Sequence, residues 1–462
     1  MSKQWKEKLL VPCLDALIDY RGKTPKKSNN GIKTLSAKSV KMGKILYEQA
    51  FFISKETYQK FMVRGFPKVG DVLLTTEAPL GCVARLDRDD VGLAQRLITI
   101  RGKEGVLDNG YLMYFLMSTR GQYELSSRAS GTTVQGIKRS EFEKVKINLP
   151  PLPEQKAIAN ILGKLDDKIE LNRQMNQTLE QMAQALFQSW FVDFDPVIDN
   201  ALAAGNAIPE ALVQKAQNRQ ALLASGTAPT LPNEIKRQFP NQFVLNDTLN
   251  KWMPEGWEVK SLGEITTELR RGISPKYTET SGVLVLNQKC IKNHEVNYSL
   301  ARRNDSLKKK VDGRFLLPGD IVVNSTGTGT LGRVANIISL TEPTVVDSHV
   351  TVVRADEEKV LPHFFNGLMF SIESFIESMG EGSTGQTELS RARLSEVNTL
   401  IPSRKIQEII SNQLGEFYLK KDSNNIQTET LTKLRDTLLP QLISGKLTVP
   451  DALLKIEKHE SE

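Results

Sequence analysis

The sequence is poor in the side chains that hold metals and form disulfides. Its 462 residues include three widely separated cysteines without a CxxC pair, and four histidines without the spacing of a ligand set. They are Cys13, Cys82 and Cys290, and His294, His349, His363 and His459. This usage argues against zinc and disulfide frameworks and favours a reducing compartment, and we interpret the histidines as structural.

Long hydrophobic runs are missing as well. No apolar run approaches the ~18 residues of a membrane span, and the opening MSKQWKEKLL lacks the apolar core and cleavage site of a signal peptide. Hydrophobic residues make up 39% of the chain and charged residues 25%, which is typical of soluble proteins. We therefore expect a cytoplasmic protein without a membrane partner.

The motifs of DNA-modifying enzymes are also absent. An adenine methyltransferase needs [DN]-P-P-[FYW] to hold a flipped base, and the nearest segments, NLPP (148–151) and FDPV (194–197), do not fit. The GxxxxGK[ST] motif of a nucleotide-driven motor does not occur, and no spaced cluster of acidic residues and lysine indicates a nuclease. We therefore expect no enzyme, no metal site and no cofactor in this chain.

A long helix is the strongest positive signal. Between residues 154 and 190, apolar residues recur at alternating steps of three and four, which is the narrow stripe of a coiled coil. At ~1.5 Å per residue this helix would be roughly 55 Å long. Asn172 and Asn176 fall on the stripe, where buried Asn costs stability but fixes register and partner. The apolar members are Leu162, Leu165, Ile169, Leu179, Ala183, Leu186 and Trp190.

The same helix occurs again 252 residues later. Identical residues recur at this constant offset along its whole length, which favours an internal duplication over two unrelated amphipathic helices. The matches include Pro150 with Pro402, Gln155 with Gln407, Leu162 with Leu414, Asn172 with Asn424, Leu179 with Leu431 and Leu186 with Leu438. The second copy is more polar on its seam, at Lys421, Thr428 and Arg435, so its packing is harder to predict.

The duplication extends into the segments that precede each helix. In both copies a Gly-Asp turn, a strand, a polar loop, a Leu-Gly turn and a second strand are followed by a helical segment and a loop rich in Gly, Ser, Thr and Gln. The matching segments are 21–27 with 271–277, 31–41 with 282–292, 68–86 with 317–337, 109–118 with 362–371 and 130–142 with 382–394. Strands with few long helices make each globular part α+β.

The order of these segments predicts six parts. They are a first globular domain (1–150), a long helix (151–190), a connector with a short helix (191–250), a second globular domain (251–402), a second long helix (403–447) and a flexible tail (448–462). Two long helices with matched stripes bury them most simply against each other. Antiparallel pairing would place the domains at opposite ends of a rod with pseudo-two-fold symmetry.

Positive charge is concentrated in the first globular domain. Residues 1–150 hold 26 Lys and Arg against 15 Asp and Glu, whereas residues 251–402 hold 18 against 19. A basic domain suits a polyanion such as nucleic acid, although charge alone is equally compatible with a merely solvated basic surface.

One glycine motif suggests a different function. Gly327, Gly329 and Gly332 match GxGxxG after a predicted strand. A dinucleotide site requires a helix next, whereas RVANIISL (333–340) predicts a strand. We therefore interpret the segment as a turn or a DNA-facing loop.

The whole chain resembles the DNA specificity subunit of type I restriction-modification systems. The most specific segments are 149–196 (LPPLPEQKAIANILGKLDDKIELNRQMNQTLEQMAQALFQSWFVDFDP), 253–265 (MPEGWEVKSLGEI) and 434–447 (LRDTLLPQLISGKL). The resemblance implies an α+β fold, with two α/β target recognition domains separated by two long antiparallel coiled-coil helices in a pseudo-two-fold internal repeat. It also implies that each domain reads one half of a bipartite, asymmetric site in double-stranded DNA.

The resemblance further implies the partners. The helices would set the spacing between half-sites and dock two modification subunits, which carry S-adenosylmethionine and methylate adenine at N6. Restriction subunits, which use ATP and Mg, would join to translocate and cleave unmodified DNA. The specificity chain itself would be non-catalytic and would hold no cofactor.

Candidate DNA contacts follow from the chemistry of the repeated loops. Lysines and arginines suit phosphates, and Gln suits adenine because its amide can bond the base edge in bidentate fashion, so Gln135 and Gln386 are the favoured base readers. In the first domain the candidates are Lys23, Thr24, Lys26, Lys27, Lys38, Lys41, Thr132, Thr133, Gln135, Lys138 and Arg139. In the second they are Arg271, Ser274, Lys276, Tyr277, Lys289, Lys292, Ser383, Thr384, Gln386 and Arg391.

The candidates for helix pairing form a separate set. They are Leu162, Leu165, Ile169, Asn172, Leu179 and Leu186 on the first helix, and Leu414, Phe417, Asn424, Leu431 and Leu438 on the second.

Two other functions remain open from the sequence. A non-catalytic, two-headed coiled-coil scaffold without a DNA role would need neither the basic first domain nor its loops, and binding to mixed DNA at low salt distinguishes the two. An enzyme with a diverged active site is disfavoured by the missing motif, and a methylation assay of the isolated chain would reveal it.

Overall fold

The computed structural model describes residues 5–20, 24–227, 229–279, 281–381 and 387–461. The chain divides into two compact units. Unit 1 comprises Met1–Arg173 and Asn425–Glu462, and unit 2 comprises Gln174–Asn424. Each unit holds one globular domain together with part of each long helix. The domain of unit 1 is called the first domain here, and that of unit 2 the second domain.

Helices of very different length occur along the described chain. The α-helices are α1 (Lys55–Phe61), α2 (Asn109–Met117), α3 (Thr119–Ser126), α4 (Arg139–Phe142), α5 (Leu152–Phe187), α6 (Asp195–Ala204), α7 (Val213–Ala224), α8 (Asn233–Lys236), α9 (Pro362–Ser371), α10 (Glu373–Ser378), α11 (Arg391–Ser395), α12 (Arg404–Ile443) and α13 (Val449–Ser461). The long helix α5 ends in a π-helical turn at Gln188–Val192.

The strands are short. In unit 1 they are β1 (Lys6–Leu9), β2 (Leu14–Asp19), β3 (Ile32–Leu35), β4 (Val40–Lys41), β5 (Lys44–Ile45), β6 (Phe51–Ile53), β7 (Val72–Thr76), β8 (Leu80–Arg85), β9 (Gly92–Leu93), β10 (Leu97–Gly102) and β11 (Lys146–Leu149). In unit 2 they are β12 (Phe243–Asn246), β13 (Lys251–Pro254), β14 (Glu258–Ser261), β15 (Thr266–Arg271), β16 (Tyr277–Thr278), β17 (Val283–Leu286), β18 (Ile291–Lys292), β19 (Glu295–Val296), β20 (Arg302–Asn304), β21 (Ile321–Asn324), β22 (Val334–Asn336), β23 (Thr344–Val346), β24 (Val350–Ala355) and β25 (Asn398–Ile401).

The two domains share one sheet topology. A four-stranded antiparallel sheet has the order β2-β10-β7-β8 in the first domain and β15-β24-β21-β22 in the second. A second sheet contains one parallel pair, β3 with β9 and β17 with β23 respectively. Each domain also has a two-stranded sheet that joins a strand near its start to its last strand, β1 with β11 and β14 with β25. The repeated order confirms the internal duplication and the α+β class.

A buried ion pair recurs at the same place in both domains. Arg101 donates from Nε and Nη2 to Asp71 at 2.6 and 2.7 Å, and Arg354 donates to Asp320 at 2.6 and 2.8 Å. Both aspartates are 1% exposed. The side-chain bonds raise the pKa of each arginine, and the paired carboxylates also accept a backbone N–H from the turn before the strand. This pair fastens the Gly-Asp turn to the central strand of each sheet.

The long helices pair in antiparallel fashion within each unit. In unit 1, Asp166 accepts from Arg435 at 2.7 Å and Asn172 donates to Gln427 at 2.9 Å. The residue number falls on α12 as it rises on α5, which confirms the predicted antiparallel pairing. The polar seam residue Arg435 is therefore matched by an acidic partner on α5.

Unit 2 shows the same antiparallel relation. Asn424 donates to Asn176 at 2.8 Å, and Lys421 donates to Glu180 at 2.6 Å. Lys421 is only 3% exposed, so its charge is neutralised inside the seam. The polar seam positions of the second copy are thus compatible with tight packing because α5 supplies their partners.

A glutamine in the first turn of each long helix binds the adjoining domain through its backbone. Gln155 accepts from the N–H of Asp108 at 2.9 Å and donates to the carbonyls of Val106 and Pro150 at 2.9 and 2.8 Å. Gln407 accepts from the N–H of Leu361 at 3.0 Å and donates to the carbonyl of Pro402 at 3.1 Å. Both side chains are buried.

The C-terminal segment differs from the expectation. The sequence predicts a flexible tail over residues 448–462, whereas Val449–Ser461 is the helix α13. Thr448 accepts from the N–H of Asp451 at 3.4 Å as its N-terminal cap, and Ala452 is fully buried in the core of unit 1 with Leu438 and Leu442. Capping and burial together order this segment.

Candidate nucleic-acid interface

A loop cluster forms in the first domain at the carboxyl end of β7, an inner strand of the four-stranded sheet. Ser130 and Gly136 exchange backbone hydrogen bonds of 2.9 and 3.0 Å, and Ile137 donates to the carbonyl of Thr76 at the end of β7. The closed loop between Ser130 and Gly136 exposes Thr132, Thr133 and Gln135. It borders a cleft of about 300 Å³ lined by Thr76, Glu77, Gln95, Arg96, Ser130, Val134, Gly136, Ile137 and Lys138.

The second domain has the equivalent loop cluster. Glu381 and Glu388 exchange backbone hydrogen bonds of 3.1 and 2.8 Å, and Leu389 donates to the carbonyl of Ser325 just after β21. The cleft beside them is larger, about 800 Å³, and is lined by Arg270, Arg271, Gly272, Arg314, Glu381, Glu388, Ser390 and Arg391. The sequence-predicted residues Arg271 and Arg391 therefore lie together, whereas Arg314 was not among the predicted contacts.

The two clefts differ in charge. In the first, the Arg96 side chain lies 2.8 Å from Glu77, which leaves Lys138 as the other cation of the lining. In the second, four arginines face two glutamates. Both clefts therefore carry positive charge at the same place in the fold, as binding to a polyanion requires.

The predicted phosphate-contact segments 24–27 and 274–277 are mainly exposed. Thr24, Lys26 and Lys27 are exposed in the first domain, and Lys27 lies 5.1 Å over the ring of Phe51. In the second domain Ser274 and Lys276 are exposed.

Tyr277 is more tightly held than its neighbours. The Arg302 guanidinium lies 3.5 Å from the centroid of its ring. Burial raises the pKa of the Tyr277 phenol, so this side chain keeps its proton and stays a hydrogen-bond donor. Lys23, Ser383, Thr384 and Gln386 lie outside the described residues, and Arg139 is engaged with Glu143 at 3.2 Å.

Four predicted lysines lie on a different feature, the β4–β5 region and its counterpart around β18–β19. Lys38, Lys41, Lys289 and Lys292 are all exposed. The hairpin of Lys41 reaches the long helix α5, because Lys44 pairs with Glu170 at 3.3 Å. These lysines do not line either cleft.

The counterpart hairpin in unit 2 is held to α5 by buried charge. His294, in the turn between β18 and β19, lies 3.3 Å from Glu180 and 2.8 Å from Glu373. Burial alone would lower the pKa of His294, but its bonds to these two carboxylates raise it to about 9. Burial opposes ionisation of Glu180, yet His294 and Lys421 hold its pKa at about 2. This histidine is therefore a charged structural residue.

Sequence reasoning missed several polar residues of the loop clusters. Gln288 donates to both the carbonyl and the hydroxyl of Thr326, whose hydroxyl lies 2.9 Å from Nδ1 of His349. Gln95 and Arg96 come from the turn before β10. No motif marks these positions, because each loop is remote in sequence from the others it meets.

The glycine motif at 327–332 is a turn. Leu331 donates to the carbonyl of Gly327 at 3.0 Å, and Gly332 has a φ of +84°. The strand β22, Val334–Asn336, follows, as predicted. The helix that would face a pyrophosphate is absent from this described segment.

The helix-pairing candidates occupy the seam to different degrees. Leu162, Leu165, Ile169, Asn172, Leu414, Asn424 and Leu438 are buried, whereas Leu179, Leu186, Phe417 and Leu431 are half-buried. Leu186 and Phe417 pack at the margin of the core of unit 2, and Leu431 at the margin of the core of unit 1. Tyr418, one residue after Phe417, is buried.

The described part of the chain shows neither a metal-binding cluster nor a membrane-spanning helix. Within the described ranges, no group of three or more His, Cys, Asp or Glu side chains could hold a metal ion. In the same part of the chain, every helix is too short or too polar to cross a bilayer.

The family of the chain is settled by two matching segments. The family model described as "Type I restriction modification DNA specificity domain" matches residues 13–181 and residues 254–433. The chain belongs to this family. The two matches correspond to the two copies of the internal repeat, and membership among DNA specificity proteins agrees with the expectation that the chain is not an enzyme.

Individual relatives carry the same description. The chain is 26% identical over 392 residues to the type I restriction enzyme HindI specificity subunit of Haemophilus influenzae, which covers 78% of this chain and 82% of the relative. It is 26% identical over 413 residues to the MjaIX specificity subunit of Methanocaldococcus jannaschii, covering 86% and 82%.

A solved structure supports the fold. The crystal structure of a type I restriction-modification S subunit from M. genitalium matches 95% of this chain and 96% of its own, with a TM-score of 0.52 and 15% identity. This likeness confirms the overall fold.

Proposed function

We propose that this chain is the DNA-reading subunit of a type I restriction-modification complex, in which each domain binds one half of a bipartite, asymmetric site. The observation that carries the proposal is the pair of positively charged clefts, one beside the equivalent loop cluster of each duplicated domain. Two equivalent but differently lined clefts suit two different half-sites, because side-chain donors and acceptors specify base sequence.

The long helices have two roles in this proposal. Their buried polar bonds favour one register, since the hydrogen bond between Asn176 and Asn424 forms only when these two residues lie opposite each other. A fixed register would keep the gap between half-sites constant. The same helices would dock two modification subunits, which would carry S-adenosylmethionine, and restriction subunits would bring ATP and Mg. The complex would work in the cytoplasm.

Methylation mapping tests this function. The chain is co-expressed with the modification subunit encoded beside it, and the methylated adenines of the host DNA are located. A split motif, with two short asymmetric halves and a constant gap, is the expected result. A contiguous motif would show that one domain is silent. No motif, with an assembled complex, would favour a two-headed scaffold instead.

A further inference from the structure

The second domain presents a contradiction in charge. It is nearly neutral overall, with 18 basic against 19 acidic residues in 251–402. Nevertheless, its cleft gathers Arg270, Arg271, Arg314 and Arg391 against Glu381 and Glu388. A domain without net charge can still have a positive electrostatic potential in one cleft, if its arginines are concentrated there.

The acidic residues of the cleft are already paired. Glu388 lies 2.8 Å from Nη2 of Arg271, which also donates to the carbonyl of Leu389. Glu381 is paired with Arg393. The two glutamates therefore form ion pairs with Arg271 and Arg393, and they do not pair with Arg314 or Arg391.

Two arginines remain for a ligand. Arg314 follows the turn at Gly313, and Arg391 is the first residue of α11; both are exposed. Within the described ranges, neither guanidinium forms an ion pair or a hydrogen bond with another side chain. They are cations at the mouth of a cleft of about 800 Å³.

A third arginine adds charge at the wall of the cleft. Arg270 donates from Nε to Glu268 at 2.8 Å, but its Nη1 is shielded from solvent without a hydrogen-bond partner in the described chain. An unpaired buried donor is costly, the more so when it is charged. An anion in the cleft would offset this cost through the electric field.

We propose that Arg314 and Arg391 bind phosphate groups of the DNA backbone at the half-site read by the second domain, with the Arg270 guanidinium, whose Nη1 has no hydrogen-bond partner in the described chain, in the wall of the cleft beside them. This inference rests on the proposed function. Phosphate is the favoured ligand because the planar guanidinium matches its oxygens in bidentate geometry. Moreover, half or more of protein–DNA hydrogen bonds go to the backbone. The second domain would thus gain salt-dependent affinity without net positive charge.

The test measures DNA affinity against salt concentration. The complex of the full chain with its modification subunit is titrated with two DNAs. One carries the mapped motif, and the other is altered in the half-site that the second domain reads. The variants are Arg314→Gln, Arg391→Gln and the double variant, with Arg237→Gln as the control, because Arg237 is an exposed arginine of the connector. The slope of log affinity against log salt should fall by about 0.9 for each phosphate that is no longer neutralised.

The expected result is uniform weakening. The double variant should bind both DNAs roughly ten- to a hundredfold less tightly, Arg237→Gln should match the natural chain, and Arg314→Lys with Arg391→Lys should restore most of the slope because charge is retained. An unchanged slope in the double variant overturns the inference. The inference is also overturned if the variants lose affinity only for the mapped motif and no longer discriminate at one base position. That result would show that these arginines contact bases.

Failure of the inference is distinct from failure of the proposed function. The natural chain could give a split methylation motif while the arginine variants keep the slope of log affinity against log salt. In that case the chain reads DNA without phosphate contacts from Arg314 and Arg391. If the natural chain gives no motif, the function itself is wrong. Should the double Gln variant unfold, the two single Gln variants decide: a slope lowered by about 0.9 in each supports the inference, and an unchanged slope in both overturns it.

Discussion

Asn424 donates a hydrogen bond from Nδ2 to Oδ1 of Asn176 at 2.8 Å, and both residues are almost fully buried. Replacing Asn424 with Leu removes its hydrogen bond to the Asn176 carbonyl inside the buried seam, and we expect a loss of about 1–3 kcal/mol in the free energy of unfolding. Replacing both residues with Leu should recover much of this loss, since two apolar side chains need no partner.

Denaturant unfolding of the full chain checks the Asn prediction. The single and double variants are compared by tryptophan fluorescence, to which Trp190, Trp252 and Trp257 of unit 2 contribute three of four tryptophans. Light scattering reports any change in assembly, because loss of the buried Asn pair also removes a constraint on register. A double variant less stable than Asn424→Leu alone would contradict the explanation.

The charge on His294 should make unit 2 sensitive to alkaline pH. Its pKa is raised from 6.5 to about 9 by Glu180 and Glu373. Because the folded pKa lies above the unfolded one, the stabilisation is complete below pH 6.5. It is lost as the pH rises through 9. We expect a decline on the order of 3 kcal/mol across this window.

Unfolding curves at several pH values measure that decline. His294→Gln should be less stable at pH 6 but should show little of the decline between pH 6.5 and 9. Lys292→Gln, an exposed charge change on the same hairpin, should decline as the natural chain does. An equal alkaline decline in His294→Gln would attribute it to another group.

Arg101 should be important for the stability of the first domain. Its replacement by Met leaves the carboxylate of Asp71, which is 1% exposed, without its ion-pair partner. Losing one partner of a buried pair costs about 3–5 kcal/mol. Arg88→Met is the matched control, because Arg88 pairs with Asp90 on the surface and solvent screens that pair. Thermal unfolding followed by circular dichroism measures both, and similar losses would refute the distinction.

Gln135 should read one base pair. It is exposed on the closed loop beside the first cleft, so Gln135→Ala should leave the melting temperature unchanged. Without its bidentate hydrogen bonds to a base, discrimination at one position of one half-site should weaken by about 1–3 kcal/mol. Methylation mapping of the variant detects this as a relaxed position, with Gln220→Ala on exposed α7 as the control. An unaltered motif would remove Gln135 from the base readers.

The architecture could be predicted because it is repeated and periodic. The Asn172 and Asn424 match located the long helices, and the Gly-Asp turns at Asp71 and Asp320 located equivalent strands. The clefts could not be predicted in full, because their walls come from loops far apart in the chain. Arg314 and Arg271 meet only after β15 and the segment before β21 fold together, and Arg314, unlike Arg271, carries no local signal.

Apolar periodicity was also insufficient to predict how the second long helix packs where a charged residue lies on its seam. Lys421 weakened the prediction for the second helix, since a lysine on a seam is costly when unpaired. The structure supplies Glu180 at 2.6 Å. That pairing depends on which face of α5 is opposite, which a one-dimensional pattern does not contain.

The glutamine joints at Gln155 and Gln407 have a consequence for how new specificities can arise. Their partners outside the helix are backbone atoms, at Val106, Asp108 and Pro150 for Gln155 and at Leu361 and Pro402 for Gln407. Backbone groups are the same whatever side chains surround them. A foreign recognition domain of the same topology could therefore be grafted at Pro150 or Pro402 and still meet the joint. Recognition of one half-site could then change by exchange of a whole domain, while the paired helices α5 and α12 stay unchanged.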